Sequence, residues 1–253
     1  MDVYWLQQSV ADLPEQNDWL STSDMARLNG MRFEKRRSDW RLGRWTAKRA
    51  LAVHLSLPAD HQALAQIEIR PASSGAPEVF LADKPADVTI SLSHRAGIAT
   101  CAIAVSGAAL GCDLEIVEPR SDGFIADYFT TEEQELVART NVADRFQLLA
   151  LLWSAKESAL KALREGLRLD TRSVAVKPWA VRDDPSLTFQ PSHGSDSWRP
   201  LHVRYDDDQL FRGWWKLTNN VLETMVATPS PSQPIPLLEA GLCLSALNSL
   251  PKR

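Results

Sequence analysis

Cysteine is scarce in this chain, and the three present, Cys101, Cys112 and Cys243, show no CxxC spacing. An odd number without a pairing motif suggests neither a disulfide framework nor a zinc site, and reduced thiols fit the cytosol. No apolar run approaches the ~20 residues needed to cross a bilayer. The opening Met1-Asp2-Val3-Tyr4-Trp5 lacks the basic start and long apolar stretch of a signal peptide, so a cytoplasmic protein with no membrane partner is expected. A basic excess is missing too. The formal net charge of -4 argues against general nucleic-acid binding, which needs a basic surface.

What is present is an ordinary globular composition, with 44% hydrophobic and 24% charged residues among 253. That length suffices for one large domain or two small ones sharing an interface. Charge is unevenly spread. The stretch Arg32 to Arg49 (RFEKRRSDWRLGRWTAKR) is strongly basic, whereas Asp113, Glu115 and Glu118 open an acidic one. One region attracts anions and another cations.

Val3 to Leu6 reads as a short strand. Leu28 to Leu57 has helical spacing, with Leu42, Trp45, Ala50, Leu51 and Val53 on an inner face and Pro58 as the stop. Pro71 to Pro77, containing Ser73-Ser74-Gly75, is a turn-rich loop. Val88 to Ser93 alternates apolar and polar, and Ile98 to Val105 is a second apolar run, so a hairpin is expected around Arg95-Ala96-Gly97. Ala109 to Val117 is a further strand. Thr130 and Glu133 have capping-box spacing at the start of a helix. A long helix runs from about Asp144 to Glu165, with Gly166 as its stop. Phe211 to Ala227 holds two strand-like runs around Asn219-Asn220, which suits a tight hairpin. Four prolines between Pro229 and Pro236 mark a tail that wraps the surface or is mobile. Each half thus offers helix followed by hairpin, consistent with two similar α+β lobes.

Three short segments carry chemistry. In Gly111-Cys112-Asp113-Leu114-Glu115-Ile116, a strand places Asp113 and Glu115 on one face and Cys112, Leu114 and Ile116 on the other. Two carboxylates so close repel each other unless one is protonated or a cation lies between them; alone, such a pair is most often just the solvated face of a half-buried strand. In Trp153-Ser154-Ala155-Lys156-Glu157-Ser158-Ala159-Leu160-Lys161, a helix puts Trp153, Glu157 and Lys161 on one face, which is otherwise an ordinary surface pair. The third segment, Ser91-Leu92-Ser93-His94-Arg95, sets a histidine at a strand end beside small hydroxyls.

In this order and spacing, the three segments resemble the surfactin-synthetase-activating type of 4′-phosphopantetheinyl transferase, over roughly Arg32 to Val176. The resemblance implies an α+β fold of two pseudo-symmetric lobes, each an antiparallel sheet packed on helices: residues 1–108, residues 109–228, and a Pro-rich tail, 229–253. Coenzyme A would lie between the lobes, and a monomer would suffice. The family's reaction moves the phosphopantetheine arm of coenzyme A to a serine of an apo acyl or peptidyl carrier protein: the serine attacks the β-phosphorus and 3′,5′-ADP leaves. Asp113, Glu115 and Glu157 are implied ligands of one magnesium ion, and manganese also suits oxygen donors.

By the same resemblance Glu157, Lys161 and His94 form the catalytic set. Glu157 takes the serine proton directly or through water, Lys161 neutralises phosphate charge, and His94, beside Ser93, meets the nucleotide's 3′-phosphate. Arg41, Arg44, Lys48 and Lys161 are expected on the phosphates and Lys156 on the pantetheine side. Gly75-Ala76-Pro77 departs from the family's frequent Gly-Lys-Pro or Gly-Arg-Pro, leaving Arg36, Arg37 or Arg95 to compensate. Cys112 replaces a more usual Ile or Val and stays a small buried hydrophobe. Tyr128 and Phe129 are candidates for carrier contact or for core packing. Two other readings stay open: a non-catalytic coenzyme A or carrier-binding module, and a magnesium phosphohydrolase acting on water.

Overall fold

The structure is a computed structural model describing residues 1–177, 197–205 and 209–237. In chain order its first half contains β1 (Tyr4–Ser9), α1 (Thr22–Asn29), α2 (Glu34–His54), α3 (His61–Ala65), β2 (Ile67–Pro71), β3 (Pro77–Leu81), β4 (Lys84–Pro85), β5 (Val88–Arg95) and β6 (Ile98–Val105). The second half contains β7 (Ala109–Ile116), α4 (Asp122–Tyr128), α5 (Thr131–Arg139), α6 (Val142–Ala162), β8 (Val174–Lys177), β9 (Arg199–Tyr205), β10 (Gln209–Thr218), β11 (Val221–Thr228) and β12 (Ile235–Pro236).

The result is an α+β fold with antiparallel sheets packed against helices. One sheet has the order β12-β1-β6-β5 and another β7-β11-β10-β9-β8; β2, β3 and β4 form a small third sheet. The two large sheets repeat one plan. A leading strand (β1 or β7) pairs with the second strand of a later hairpin (β6 or β11), whose first strand (β5 or β10) lies beyond it. A 21-residue helix packs on each, α2 against β1, β5 and β6, and α6 against β7 and β11. Both hairpins turn in two residues at positive φ, Ala96-Gly97 (50° and 76°) and Asn219-Asn220 (48° and 68°), the twist that matches paired strands.

The helix expected from Leu28 to Leu57 is two helices. Ser21 caps α1 through a capping box with Asp24, and Gly30, a poor helix former, closes it before α2 begins. The loop expected from Pro71 to Pro77 is a hairpin turn between β2 and β3; the alternation of buried Ile67 and Ile69 with Glu68 was the readable sign. The long helix α6 starts two residues earlier than Asp144 and ends at Ala162, before Gly166. Its end is a Schellman turn: the Arg164 N–H bonds Lys161 O at 3.0 Å and the Glu165 N–H bonds Leu160 O at 3.2 Å. Arg164 occupies the left-handed position (φ 60°) that normally takes glycine, at a cost of about 1 kcal/mol. Of the tail, the described part returns to the first sheet, where Ile235 N–H bonds Val3 O at 2.9 Å and β12 runs parallel to β1. Residues 238–253, with Cys243, lie outside the described residues.

The two halves meet along β5 and β7, which lie side by side without a backbone ladder between them. Serine hydroxyls take the ladder's place: Ser91 Oγ accepts from Cys112 N–H at 2.9 Å and Ser93 Oγ from Leu114 N–H at 3.1 Å. Behind them a small apolar core joins Val3, Ala102 and Ala104 to Leu110, Cys112 and Met225. The face of β7 carrying Cys112 is therefore this seam, and the face carrying Gly111, Asp113 and Glu115 looks at α6. Gly111 allows that approach, since a Cβ there would stand 1.7 Å from the Ser158 carbonyl oxygen.

Candidate active site

The carboxylates of β7 are not a solvated strand face. Asp113 and Glu115 are 6% and 7% exposed, covered by α6. Three pins fix α6 in place. Ser154 and Ser158 share hydrogen bonds with Thr224 of β11 (2.9 and 2.7 Å), and Lys156 is buried on the side facing α5 and β8. Helical spacing then delivers Glu157 and Lys161 to the β7 acids.

Asp113 is the hub. Its Oδ1 accepts from Lys161 Nζ at 2.8 Å and from Ser93 Oγ at 2.9 Å, while its Oδ2 is buried with no hydrogen-bond partner among the described residues. Lys161 also donates to Cys112 O at 2.9 Å. Glu115 is held by Arg120 (2.9 Å), with Arg95 at 3.7 Å and a Trp153 side-chain hydrogen bond. Burial pushes the Glu115 carboxyl above its ordinary value, and the Asp113 charge adds to this against Arg95 and Arg120. Glu157, with no ion pair among the described residues, is likewise pushed up by burial and then by Asp113 and Glu115. Burial works against the Lys161 ammonium, but Asp113 leads the neighbours that outweigh it and hold it above the ordinary lysine value. Asp113 and Glu157 thus face Lys161, while the third carboxylate, Glu115, is turned to Arg120 and Arg95.

Do these residues fit a divalent ion? The donors are all carboxylate oxygens, the set hard cations prefer, and the orphaned Asp113 Oδ2 is a buried acceptor that only a cation or donor can satisfy. As the side chains stand, Glu115 is turned to its arginines, and among the described residues no group of three His, Cys, Asp or Glu side chains is gathered tightly enough to hold a metal. Donor chemistry fits; the present rotamers do not yet close on one point.

Beside the acids lies a cleft of about 490 Å³, within the range of small-molecule sites. Its walls include Gly43 and Arg44 of α2, the 74–77 turn, Ser91 and His94 of β5, and Lys161 with Arg164. Burial lowers His94 below the ordinary histidine value, with Lys161 and Lys35 acting in the same direction against Asp39 and Asp113. Ser93 sits at the seam rather than in the cleft, its hydroxyl spent on Asp113 and Leu114.

Several expected substrate cations are elsewhere. Lys48 is fully buried, 2.7 Å from Asp24 Oδ2 and donating to Trp19 O at 3.2 Å. Lys156 is fully buried against Glu133 (2.9 Å) and donates to the carbonyls of Thr171 and Val174. Arg41 donates to the carbonyls of Pro14 (2.7 Å) and Glu15 (3.1 Å), closing a loop. Arg44 does line the cleft, but it is tied to Asp24 (3.3 Å) and Ile69 O (2.9 Å). None of Arg36, Arg37 and Arg95 lines it. Arg37 holds Leu28 O, and Arg95 pairs with Glu118 at 2.9 Å. Sequence reasoning missed Arg27, Arg70 and Arg164, all on the cleft wall. Phe129 is core, whereas Tyr128, 37% exposed, forms an aromatic cluster with Phe124 and Trp153 at centroid distances of 4.9–5.1 Å.

Residues 109–211 match the family model of the 4′-phosphopantetheinyl transferase superfamily. That segment opens at β7 and contains all three carboxylates and Lys161. Among solved structures, the chain matches a Helicobacter pylori holo-[acyl-carrier-protein] synthase in complex with coenzyme A at 19% identity, covering 41% of this chain and 99% of that one, with a TM-score of 0.33. It also matches a holo-(acyl-carrier-protein) synthase from Bacillus anthracis str. Ames in complex with CoA (3′,5′-ADP) at 17% identity, covering 41% and 94%, with a TM-score of 0.34. No curated protein matches the chain.

Proposed function

We propose that the protein is a two-lobed phosphopantetheinyl transferase that moves the phosphopantetheine arm of coenzyme A to a serine of an apo carrier protein, releasing 3′,5′-ADP. The observation that carries this reading is the meeting of Asp113, Glu157 and Lys161 from separate parts of the chain beside one cleft. We take the lobes as residues 1–108 and 109–228, the substrate as lying between them, and the working unit as a cytoplasmic monomer.

Asp113, Glu115 and Glu157 would hold a magnesium ion, with manganese an acceptable substitute. When bound, it supplies neutralisation of the diphosphate charge. The remaining work belongs to the protein's own groups. Lys161, held as the cation by Asp113, faces the cleft and offsets negative charge on the departing nucleotide phosphate. Glu157, which has no ion pair among the described residues, accepts the proton, directly or through a water, as the serine oxygen bonds the β-phosphorus and the bond to the bridging oxygen of 3′,5′-ADP breaks. His94 receives the nucleotide's ribose phosphate. Little covalent chemistry falls to the protein, and positioning dominates. The aromatic cluster of Phe124, Tyr128 and Trp153 flanks Glu115 and is our candidate for the carrier's apolar contact.

Intact-mass spectrometry of apo fatty-acid, polyketide and nonribosomal-peptide carriers, incubated with the protein, coenzyme A and magnesium, tests the proposal. Gain of one phosphopantetheine arm by at least one carrier is expected. Binding of coenzyme A without transfer to any of them would instead make the chain a binding module, and nucleotide release without a carrier would make it a hydrolase.

A further inference from the structure

The cations around the cleft are unequal. Arg44 is committed to Asp24, Lys161 to Asp113, and Arg70 to Glu68 and Asp83. Arg164 is exposed on the cleft wall, and among the described residues its guanidinium has neither an ion pair nor a hydrogen bond. Arg27 shares this freedom, but it sits in a regular helix where any residue is comfortable. Arg164 is different. It holds the left-handed position of the turn that ends α6, where a Cβ is strained and glycine is the usual occupant. Among the described residues, no ion pair or hydrogen bond of its side chain explains that choice.

The surroundings of Arg164 are fixed. Arg168 Nη2 donates both to the Arg164 carbonyl (3.1 Å) and to the Ser74 carbonyl (3.3 Å), clipping the helix end to the turn between β2 and β3. Ser74, Gly75 and Ala76 supply that part of the cleft wall and carry no charge. Arg164 is therefore a partnerless guanidinium beside a neutral stretch of the wall, three residues beyond Lys161 and displaced along the chain from the acids. A ligand bearing several phosphates leaves charge to be met there, and a guanidinium is well shaped to meet it.

Resting on the transfer reading above, we propose that Arg164 is a substrate-binding residue that pairs with a phosphate of coenzyme A, and that the strained helix end exists to aim it. Three variants test this in steady-state kinetics and thermal melting. Arg164→Gln raises KM for coenzyme A by roughly 10- to 100-fold with kcat nearly unchanged, the size expected for a charge-assisted hydrogen bond. Arg164→Lys recovers part of the loss. The gap between wild type and Arg164→Gln narrows as salt rises from about 0.05 to 0.5 M. Arg164→Gly raises Tm by about 2–4 °C, because the strain is relieved, while showing the same elevated KM. An unchanged KM in Arg164→Gln, in a protein that otherwise turns over, overturns this assignment and leaves the transfer reading standing; so does an elevated KM that salt does not narrow. A wild-type chain that modifies no carrier overturns both.

Discussion

Lys48 and Lys156 stand at the same place in the two 21-residue helices, each fourteen residues after the first (Glu34 to Lys48, Val142 to Lys156), and each pairs with the third-position acid of the preceding helix's capping box. For Lys48 that acid is Asp24 of α1, and for Lys156 it is Glu133 of α5. One carboxylate thus caps its own helix and neutralises a lysine buried in the next, in both halves of the molecule. Topology repeats, and so does this device.

These lysines are buried in ion pairs that hold the fold, and we expect no substrate contact from them. Removing one partner of a buried pair strands the other charge, so Lys156→Met and Lys48→Met should each lose about 3–5 kcal/mol of stability. Urea unfolding measures the loss. At a temperature where the variants remain folded, KM for coenzyme A should stay within about twofold of wild type; a large rise for Lys156→Met with little loss of stability would return that lysine to the substrate site.

This pair also shows what the sequence could and could not convey. Of the residues carried by the Ser-His, Asp-x-Glu and Trp-Ser-x-Lys-Glu motifs, the structure brings Asp113, Glu157 and Lys161 near one another and turns Glu115 to its arginines; strand and helix periodicity decide which side chains share a face. Strand alternation, capping boxes and Asn-Asn or Ala-Gly turns were likewise local signals. Lys48, Lys156 and Arg41 misled because a basic residue announces its charge but not its partner. Their partners lie 24, 23 and 26–27 residues away (Asp24, Glu133 and the carbonyls of Glu15 and Pro14). The acid face of β7 was harder still. Alternation separated Asp113 from Cys112, but whether either face met water depended on α6 and on the seam with β5. Arg164 gave only the sign of a helix end, placed there at Gly166.

Ser93 orients Asp113 across the seam, acting on the reaction through another residue. Ser93→Ala should lower kcat by about 10-fold while leaving KM for coenzyme A almost unchanged, in line with the loss of a supporting hydrogen bond to a ligand. It should also cost about 1 kcal/mol of stability, because Leu114 N–H loses its acceptor. Ser93→Thr, which keeps the hydroxyl, should recover most of the rate. A fall in kcat that threonine does not repair would point to packing at the seam instead.

Burial holds His94 below its ordinary value, so the imidazole is neutral at pH 7 in the free protein. A phosphate bound beside it favours the cation and raises that value. The bound state then takes up a proton, and affinity for coenzyme A is greatest at low pH and falls as pH rises through the bound-state value. KM for coenzyme A, followed over roughly pH 5 to 8, should therefore climb with pH. In His94→Gln the climb should disappear. A wild-type profile identical to that of His94→Gln would remove His94 from the phosphate.

The most direct test of the whole account is the single-turnover rate of carrier modification by Asp113→Asn and Glu157→Gln, each of nearly native shape but lacking one carboxylate charge. Rates should drop by about 10²–10³-fold or more in both, with circular dichroism showing the fold retained. Near-native turnover in either variant would mean that the acids brought together by β7 and α6 are not where the chemistry happens.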